Sequence, residues 1–257
     1  MELRFDEKVV LITGATSGIG RACALLFSNS GAKVFLTGRK QEVLFELKNS
    51  ITKENRPCEI LAGEITDTEF RKTLIQTTVE KFGKLDILIN AAGIIGSGSI
   101  ENTTLDAFDR MMDINVRSVF HLTQLAAPYL IASHGNIVIV SSVTGTRAFP
   151  GLVSYCVSKA AVDQLVRTAA LDLAPKGVRV NSVNPGVVQT NLHRNGGMDE
   201  PTYQKFLEHS KTTHPLGRIG QPEEIADLIA FLASEQAGWI TGVTCNIDGG
   251  RQLTCAR

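Results

Sequence analysis

The sequence predicts an α/β fold: a doubly wound parallel sheet of about seven strands, with helices on both faces in three α/β/α layers. Two observations predict it. Short apolar runs alternate along the chain with longer stretches of helical period, which is the pattern of consecutive βαβ units. The apolar runs are also nearly continuous, as expected for strands that helices cover on both sides.

The predicted strands are short runs rich in Val, Ile and Leu, with turn residues between them. They cover residues 8–12, 33–37, 57–61, 86–89, 136–140, 179–183 and 242–247. The predicted helices cover residues 19–29, 41–52, 69–81, 105–130, 153–174 and 222–233. Two helix starts carry capping signals. Thr66 with Glu69 resembles a capping box, and Gln221 is followed by a proline and two acids.

Length and composition favour a single domain over residues 1–257. The chain has 257 residues, of which 43% are hydrophobic, and this is enough to form a sizeable core. No Pro/Gly/Ser-rich linker or internal repeat divides the sequence. We therefore expect one domain that both binds its ligand and carries its chemistry.

Charge and apolar patterning argue against two classes of partner. The 26 basic and 26 acidic residues give a net charge of zero, whereas a protein that binds nucleic acid normally has a basic excess. No apolar run approaches membrane-spanning length. We therefore expect neither nucleic acid nor a membrane as a partner, and near-zero net charge weakly favours self-association.

The cysteines and histidines show no metal-binding pattern. The five cysteines (Cys23, Cys58, Cys156, Cys245 and Cys255) are odd in number and lack the spacing of a metal site or redox pair. The first apolar run is too short for a signal peptide. Reduced thiols in a cytoplasmic protein are the simplest interpretation, and no histidine spacing indicates a metal.

A glycine-rich loop follows the first predicted strand and leads into the first helix. Its candidate ligand-binding residues are Thr13, Gly14, Thr16, Ser17, Gly18, Ile19 and Gly20. Glycines in this place allow a tight turn and bring backbone N–H groups and a helix N-terminus close to a pyrophosphate. The loop therefore predicts a Rossmann-type dinucleotide site, although an ordinary glycine-rich turn has the same composition.

The end of the second predicted strand indicates which dinucleotide binds. NAD enzymes normally carry Asp or Glu here for the ribose 2′-hydroxyl, but this chain has Gly38 followed by Arg39 and Lys40. A guanidinium can pair with a 2′-phosphate. NADP(H) is therefore favoured, with NAD(H) possible. The alternative is that Arg39 and Lys40 are only a solvated pair.

Candidate catalytic residues follow the fifth predicted strand. Tyr155 and Lys159 are four residues apart near the start of a long predicted helix, so they lie on one face. A Tyr-x-x-x-Lys spacing alone is a weak signal. Here it comes after a strand that ends in Ser141 and Ser142, and after the dinucleotide loop, and the joint pattern is far more specific.

This combination resembles the short-chain dehydrogenase/reductase family, in its single-domain form similar to 3-oxoacyl-reductase-like members, over nearly the whole chain. The matching positions, besides the loop and Tyr155 with Lys159, are Asn90, Ala91 and Gly93 after the fourth strand, Asn115, Ser142, and Pro185, Gly186, Val188 and Thr190 after the sixth strand. Glu64 and Ile65 stand where the family places its adenine contacts.

The resemblance implies a role for each catalytic candidate. Tyr155 would be the general acid or base. Lys159, together with the positive nicotinamide of the oxidised cofactor, would lower the pKa of Tyr155, and Lys159 would also hold the nicotinamide ribose. Ser142 would donate a hydrogen bond to the substrate oxygen. Asn115 would anchor a water of a proton relay, and Thr190 would fix the carboxamide.

Three departures from the family pattern affect the cofactor site. Ala91 stands where a second Asn is common, Glu64 replaces the usual Asp near the adenine, and Ser17 stands where many NADP-preferring members carry a basic residue. The NADP(H) expectation therefore depends mostly on Arg39.

Residues of about 187–215 form the region that covers substrate in the family. Leu192, His193 and Met198 could touch substrate, and a solvated loop fits them equally well. Arg147 and Arg194 could pair with a substrate carboxylate, although such residues are more often solvated.

The expected protein is thus an NADP(H)-dependent oxidoreductase that acts on a small-molecule carbonyl or secondary alcohol. It is expected to be a cytoplasmic homo-oligomer, a tetramer or a dimer by resemblance. Two alternatives remain: a dinucleotide-binding regulator without catalysis, and a lyase or epimerase on the same scaffold. The sequence does not choose the substrate.

Overall fold

The computed structural model describes residues 3–254 and contains seven parallel strands in one sheet. The strands are β1 (Val9–Ile12), β2 (Lys33–Gly38), β3 (Cys58–Ala62), β4 (Ile87–Asn90), β5 (Asn136–Val140), β6 (Arg179–Pro185) and β7 (Thr244–Ile247). Their order across the sheet is β3-β2-β1-β4-β5-β6-β7. The predicted doubly wound sheet is confirmed.

Nine α-helices connect these strands within the described residues. They are α1 (Gly18–Asn29), α2 (Gln41–Thr52), α3 (Thr68–Phe82), α4 (Leu105–Met112), α5 (Ser118–Ser133), α6 (Val153–Leu173), α7 (Leu192–Asn195), α8 (Glu200–Thr213) and α9 (Pro222–Ala233). One face of the sheet packs against α1, α2 and α9, and the other against α3, α5 and α6.

Strand β1 shows why the apolar runs are continuous. Its four residues are fully buried, but Val10 and Ile12 belong to the core on one face while Val9 and Leu11 belong to the core on the other. Successive side chains of a strand point to opposite faces. A strand between two helical layers therefore needs an apolar residue at every position.

The predicted helix over residues 105–130 is interrupted in the structure. A π-helical turn at Asp113–Arg117 separates α4 from α5. The turn contains Asn115, whose side chain is buried. Neither Gly nor Pro marks this point, so hydrophobic periodicity could not reveal it. Single π turns inside α-helices often occur at functional sites.

Smaller differences concern helix and strand ends. Asp67, not Thr66, caps α3, because its carboxylate accepts hydrogen bonds from the backbone N–H groups of Glu69 and Phe70. The expected cap of α9 is present, with Gln221 N–H donating to Glu224. Strand β7 begins two residues later than predicted, after Gly242 with its positive φ of 75°.

The strand order reverses between the neighbouring strands β1 and β4. The chain continues from β1 toward β2 on one side of this point, and from β4 toward β5 on the other side. A crevice forms at the carboxyl ends of the strands at such a point. No helix among residues 3–254 has both the length and the apolar character needed to cross a membrane. Cys23, Cys58, Cys156 and Cys245 are free thiols, and Cys255 lies outside the described residues.

Candidate active site

A cleft of about 400 Å³ runs along the carboxyl ends of the strands. It brings together most of the residues singled out in the sequence. Those that line it are Gly14, Thr16, Ser17, Gly18, Ile19, Gly20, Arg39, Lys40, Glu64, Ile65, Ala91, Gly93, Ser142, Tyr155, Lys159, Pro185, Gly186, Val188 and Thr190.

The glycine loop forms a narrow cradle at one wall of this cleft. Gly14 has a φ of 68°, and a Cβ there would lie 2.9 Å from the Ala91 carbonyl oxygen. A Cβ at Gly20 would lie 2.4 Å from the carbonyl oxygen of Gly14. Ser17 precedes α1 without a side-chain cap, so the first N–H groups of α1 are left for a ligand. This geometry fits a pyrophosphate.

Thr13 and Asn90, also singled out in the sequence, do not line the cleft. The hydroxyl of Thr13 accepts hydrogen bonds from the backbone N–H groups of Ala91 and Ala92, both at 3.0 Å. It therefore ties the loop after β4 to the glycine loop. Asn90 is buried, and its side-chain amide has no hydrogen-bond partner among the described residues.

Tyr155 and Ser142, two of the candidate catalytic residues, lie together at the deep end of the cleft. Helix α6 carries Tyr155, Ser142 follows β5, and the Ser142 hydroxyl is near enough to Tyr155 to affect its pKa. Ser142 also accepts a bond of 3.1 Å from the backbone N–H of Thr144. Both residues are less than a tenth exposed, so their orientation is fixed by packing as well as by hydrogen bonds.

Burial dominates the acidity of Tyr155. It raises the pKa of Tyr155 to about 12, and the nearby Ser142 hydroxyl opposes that rise. The lowering of this pKa by Lys159 together with an oxidised nicotinamide stays a prediction. The Lys159 ammonium lies 5.7 Å from the centre of the Tyr155 ring, and the loss of solvation outweighs any attraction across this distance.

Lys159 lies one turn after Tyr155 and reaches back to the sheet. Its Nζ donates a hydrogen bond of 2.9 Å to the carbonyl oxygen of Val140. A Cβ at Gly93 would lie 3.7 Å from this Nζ. Burial lowers the pKa of Lys159 from 10.5 to about 8, and the Asp163 carboxylate opposes that fall.

Asn115 lies behind the cleft, where its side chain holds the cleft-lining backbone at Ile94. Its Oδ1 accepts a hydrogen bond of 2.9 Å from the backbone N–H of Ile94, and its Nδ2 donates to the Ile94 carbonyl at 3.0 Å and to Ser158 at 3.1 Å. The side chain thus fixes the segment after β4 against α6. Nothing in this arrangement tests the expected role in a proton relay.

A buried polar cluster beneath Ser142 was missed in the sequence. Asn184 donates 2.8 Å to the Asp163 carboxylate and 3.0 Å to the carbonyl oxygen of Ser142. The pKa of Asp163 is raised by burial, with hydrogen bonds from Ser141 and Asn184 opposing. The spacing Lys159–Asp163, one helical turn, was the only available signal, and it is common on any helix.

The opposite end of the cleft is open to solvent. Arg39 and Lys40 follow β2, Glu64 follows β3, and all three are exposed. No hydrogen bond or ion pair joins these side chains to another residue within 3–254. A Cβ at Gly38 would lie 2.7 Å from Thr16 Cγ2, so position 38 has little room for an acidic side chain.

The region over the deep end consists of α7 and α8. His193 lines the cleft, and its ring packs 4.5 Å from that of Phe206. Leu192 lines the cleft too, whereas Met198 packs into a small apolar cluster beside α8. His193 is therefore not a residue of a solvated loop, which was one of the two interpretations.

The two arginines considered for a substrate carboxylate are engaged by the chain itself. Arg194 forms two bonds to Glu200 at 2.6 and 2.9 Å and stacks 4.0 Å over Tyr203. Arg147 donates to carbonyl oxygens near residue 252. No group of three His, Cys, Asp or Glu side chains in the described part of the chain could hold a metal ion.

Comparison with known proteins agrees with this geometry. The chain matches the family described as Enoyl-(Acyl carrier protein) reductase over residues 14–252. It is 38% identical to the 3-oxoacyl-[acyl-carrier-protein] reductase of Thermotoga maritima, covering 96% of this chain and 99% of that protein. It is 36% identical to the meso-2,3-butanediol dehydrogenase of Serratia marcescens, covering 96% of each.

Solved structures give the same result. A short-chain dehydrogenase/reductase of unknown function from Caenorhabditis elegans, crystallised with cofactor, has a TM-score of 0.94 and 37% identity, covering 98% of both chains. A short-chain type dehydrogenase/reductase from Mycobacterium marinum has a TM-score of 0.90 and 31% identity, again covering 98% of both chains. The chain therefore belongs to the short-chain dehydrogenase/reductase family of NAD(P)-dependent oxidoreductases.

Proposed function

We propose that this protein is an NADP(H)-dependent oxidoreductase that transfers a hydride between the nicotinamide and a carbonyl or secondary alcohol carbon. One observation carries the proposal: Tyr155 and Ser142 lie with Lys159 at the deep end of a cleft that begins at the glycine cradle. A cofactor lying along the cleft would bring its reactive ring to this pair.

The chemistry divides between the cofactor and the chain. NADP(H), when bound, supplies or accepts the hydride. With its pKa at about 12, Tyr155 is protonated at neutral pH, which is the form that donates a proton to the oxygen of a carbonyl undergoing reduction. Ser142 donates a hydrogen bond to the same oxygen and stabilises its developing charge.

Other residues bind and orient. Lys159 would hold the nicotinamide ribose hydroxyls, and Thr190 with Pro185, Gly186 and Val188 would fix the carboxamide side of the ring. Asn115 keeps the segment after β4 in place and contributes to the proton relay. The glycine cradle holds the pyrophosphate. Ile65, Glu64 and the Asn90–Gly93 segment border the adenosine half.

The preference for NADP(H) is supported by the exposed end of the cleft. Arg39 and Lys40 line it with no ion-pair partner among the described residues, so their cationic heads are available for a 2′-phosphate. The tight approach of Gly38 to Thr16 disfavours the carboxylate that an NAD site uses.

The substrate is proposed to be an uncharged carbonyl compound or its alcohol. Leu192 and Ile94 border the cleft, and Arg194 and Arg147 are already paired within the chain. The relatives named above act on a 3-oxoacyl thioester and on a vicinal diol, both uncharged at the reacting group. This environment fits either class and favours neither.

The chain is further proposed to act as a single-domain, cytoplasmic homo-oligomer. One sheet containing all seven strands supports one domain, and the free thiols agree with a reducing compartment. Several large apolar side chains are exposed, among them Val157 and Leu171 on α6 and Trp239 before β7. Such surfaces favour burial by a partner copy, as a dimer or tetramer.

The test is consumption of NADPH by the purified protein over a broad panel of ketones and aldehydes, with NADH in parallel. We expect turnover on one chemical class and a higher kcat/KM with NADPH. Tight NADPH binding without turnover on any member would favour a regulator. Product formed without net change in NADPH would indicate a lyase or epimerase.

A further inference from the structure

The residues that cover the deep end of the cleft form a small unit of their own. We call residues 187–215 the substrate loop. Tyr203 and Leu207 of this loop form a separate apolar cluster with Ile219, outside the two large cores. A segment with so small a core has low local stability. Its position therefore depends on how its two ends are fixed.

His214 joins the two ends of the substrate loop. It comes directly after α8, and its Nε2 lies 3.1 Å from the backbone nitrogen of Val187, the first residue of the loop. Its Nδ1 lies 2.6 Å from the carbonyl oxygen of Ser210. The imidazole is 3% exposed, so water does not replace either contact.

The partners of His214 determine its protonation state. A carbonyl oxygen only accepts, so Nδ1 carries a proton and donates to Ser210. A backbone N–H only donates, so Nε2 must be unprotonated to accept from Val187. The two contacts are compatible only with the neutral imidazole protonated on Nδ1.

The imidazole lies directly beside the wall of the cleft. A Cβ at Gly186 would lie 2.7 Å from His214 Nε2, and both Gly186 and Val188 line the cleft. Gly220 holds the same backbone segment through two hydrogen bonds. Its N–H donates to the Val187 carbonyl at 2.9 Å, and its carbonyl accepts from the Gln189 N–H at 3.0 Å. A shift at Val187 would therefore move cleft-lining backbone.

We propose that His214 is a positioning residue: its neutral imidazole holds Val187 and so sets the conformation of the cleft wall at Gly186–Val188, and its protonation releases the substrate loop. The expected effect of His214 on turnover rests on the proposed function, in which the Gly186–Val188 wall orients the nicotinamide. The expected effect of His214 on the conformation of the loop rests only on the contacts of its imidazole.

The surroundings of His214 keep it neutral near physiological pH. Burial lowers the pKa of His214 below its usual 6.5, and Arg251 adds to this effect. The Ser210 carbonyl and the Asp248 carboxylate oppose it. Arg251 and Asp248 are the charged groups that act on the imidazole, while the Gly186–Val187 backbone and Thr213 are uncharged.

Two substitutions separate the contact from the titration. In His214→Gln, the side-chain amide reaches the place of Nε2 and can still accept from Val187, but it does not titrate. In His214→Asn, the shorter amide reaches only the place of Nδ1, so the bond to Val187 is lost. His209→Gln is the matched control, because His209 is exposed on α8, the helix that ends just before His214.

The experiment is amide hydrogen exchange of residues 187–190 between pH 5 and 8, corrected for intrinsic rates, on the full protein without substrate. In the wild type we expect protection to fall as pH drops below about 6.5, where a free histidine protonates. His214→Gln should remain protected throughout. His214→Asn should show roughly 5- to 100-fold less protection than His214→Gln at every pH, the range for a lost buried hydrogen bond.

Two results would overturn the proposal: protection in His214→Asn equal to that of the His209→Gln control, or wild-type protection that does not change with pH. Turnover measured on the same variants adds the kinetic consequence. The kcat/KM of the wild type should decline as pH falls below about 6.5, and His214→Gln should lack this decline. Exchange does not depend on turnover, so an inactive protein would challenge the proposed function alone.

Discussion

Ser142, Tyr155 and Lys159 at the deep end of the cleft are less than a tenth exposed, whereas Arg39 and Glu64 at its other end are exposed to solvent. The buried groups are held by two or more contacts each. The exposed groups have no side-chain partner among the described residues. The same cleft thus has a rigid, desolvated half and a solvated half.

The difference in burial matches the role proposed for each half of the cleft. Proton transfer needs groups whose position and acidity are fixed, and burial fixes both while disfavouring charge. Recognition of a phosphate needs only a cation that can reach it, and a solvated guanidinium keeps its charge without loss of solvation. We therefore expect substitutions in the buried half to change rate and stability, and those in the exposed half to change cofactor choice.

Replacement of Tyr155 by Phe should give the largest effect. It removes the hydroxyl that we propose as the proton donor while the ring keeps its packing, so kcat should fall by about 10²- to 10⁴-fold, the range for loss of a general acid. NADPH affinity, measured by fluorescence titration, should change little. If turnover persists within a few-fold of the wild type, the proton comes from another group and the buried half is not the catalytic half.

Replacement of Lys159 by Met should lower turnover less than Tyr155→Phe does, and it should stabilise the fold. The fall of the Lys159 pKa from 10.5 to about 8 corresponds to about 3 kcal/mol of unfavourable burial at neutral pH. Loss of the hydrogen bond to Val140 costs about 1 kcal/mol. We therefore expect a gain of about 2 kcal/mol in the free energy of unfolding, measured by urea denaturation at pH 7.

The pH dependence of that stability provides the control. Between pH 8 and 10.5 the unfolded wild-type chain binds more protons at Lys159 than the folded chain, so wild-type stability should rise with pH. The Met variant should lack this contribution. Lys176→Met, at an exposed position before β6, should retain it. A destabilised Lys159→Met with an unchanged pH slope would mean that Lys159 is well solvated by its neighbours.

The sequence was sufficient for most of the fold and for the residues that border the cleft. Hydrophobic runs mark all seven strands to within two residues because a buried parallel strand needs apolar side chains on both faces. The cleft residues follow because strand ends converge at the switch point. Candidate catalytic and binding residues at strand ends can therefore be identified from the sequence alone.

What the sequence could not provide depends on long-range packing. The π turn at Asp113–Arg117 adds one residue to a helical turn without changing the local residue types. The bonds from Asn184 to Asp163 and to Ser142 join segments 21 and 42 residues apart. The raised pKa of Tyr155 likewise results from burial. The degree of burial depends on the folded structure, and the residue types near Tyr155 in the sequence do not give it.

The smallest change expected is in the exposed half. Arg39→Asp should leave stability within about 0.5 kcal/mol, as is usual for exposed positions. Its effect should appear in the ratio of kcat/KM for NADPH to that for NADH. That ratio should fall by roughly 10- to 100-fold, since a hydrogen bond to a charged group contributes about 1.5–3 kcal/mol and the new carboxylate repels a 2′-phosphate.

Lys176→Asp makes the same change in net charge at a position outside the cleft, and its ratio should match that of the wild type. Raising the salt concentration should weaken NADPH binding to the wild type more than to Arg39→Asp, because the contact is solvated and therefore screened. An equal loss of both cofactors in Arg39→Asp would mean that the guanidinium contacts a part of the dinucleotide common to both. The exposed half would then bind the cofactor without selecting it.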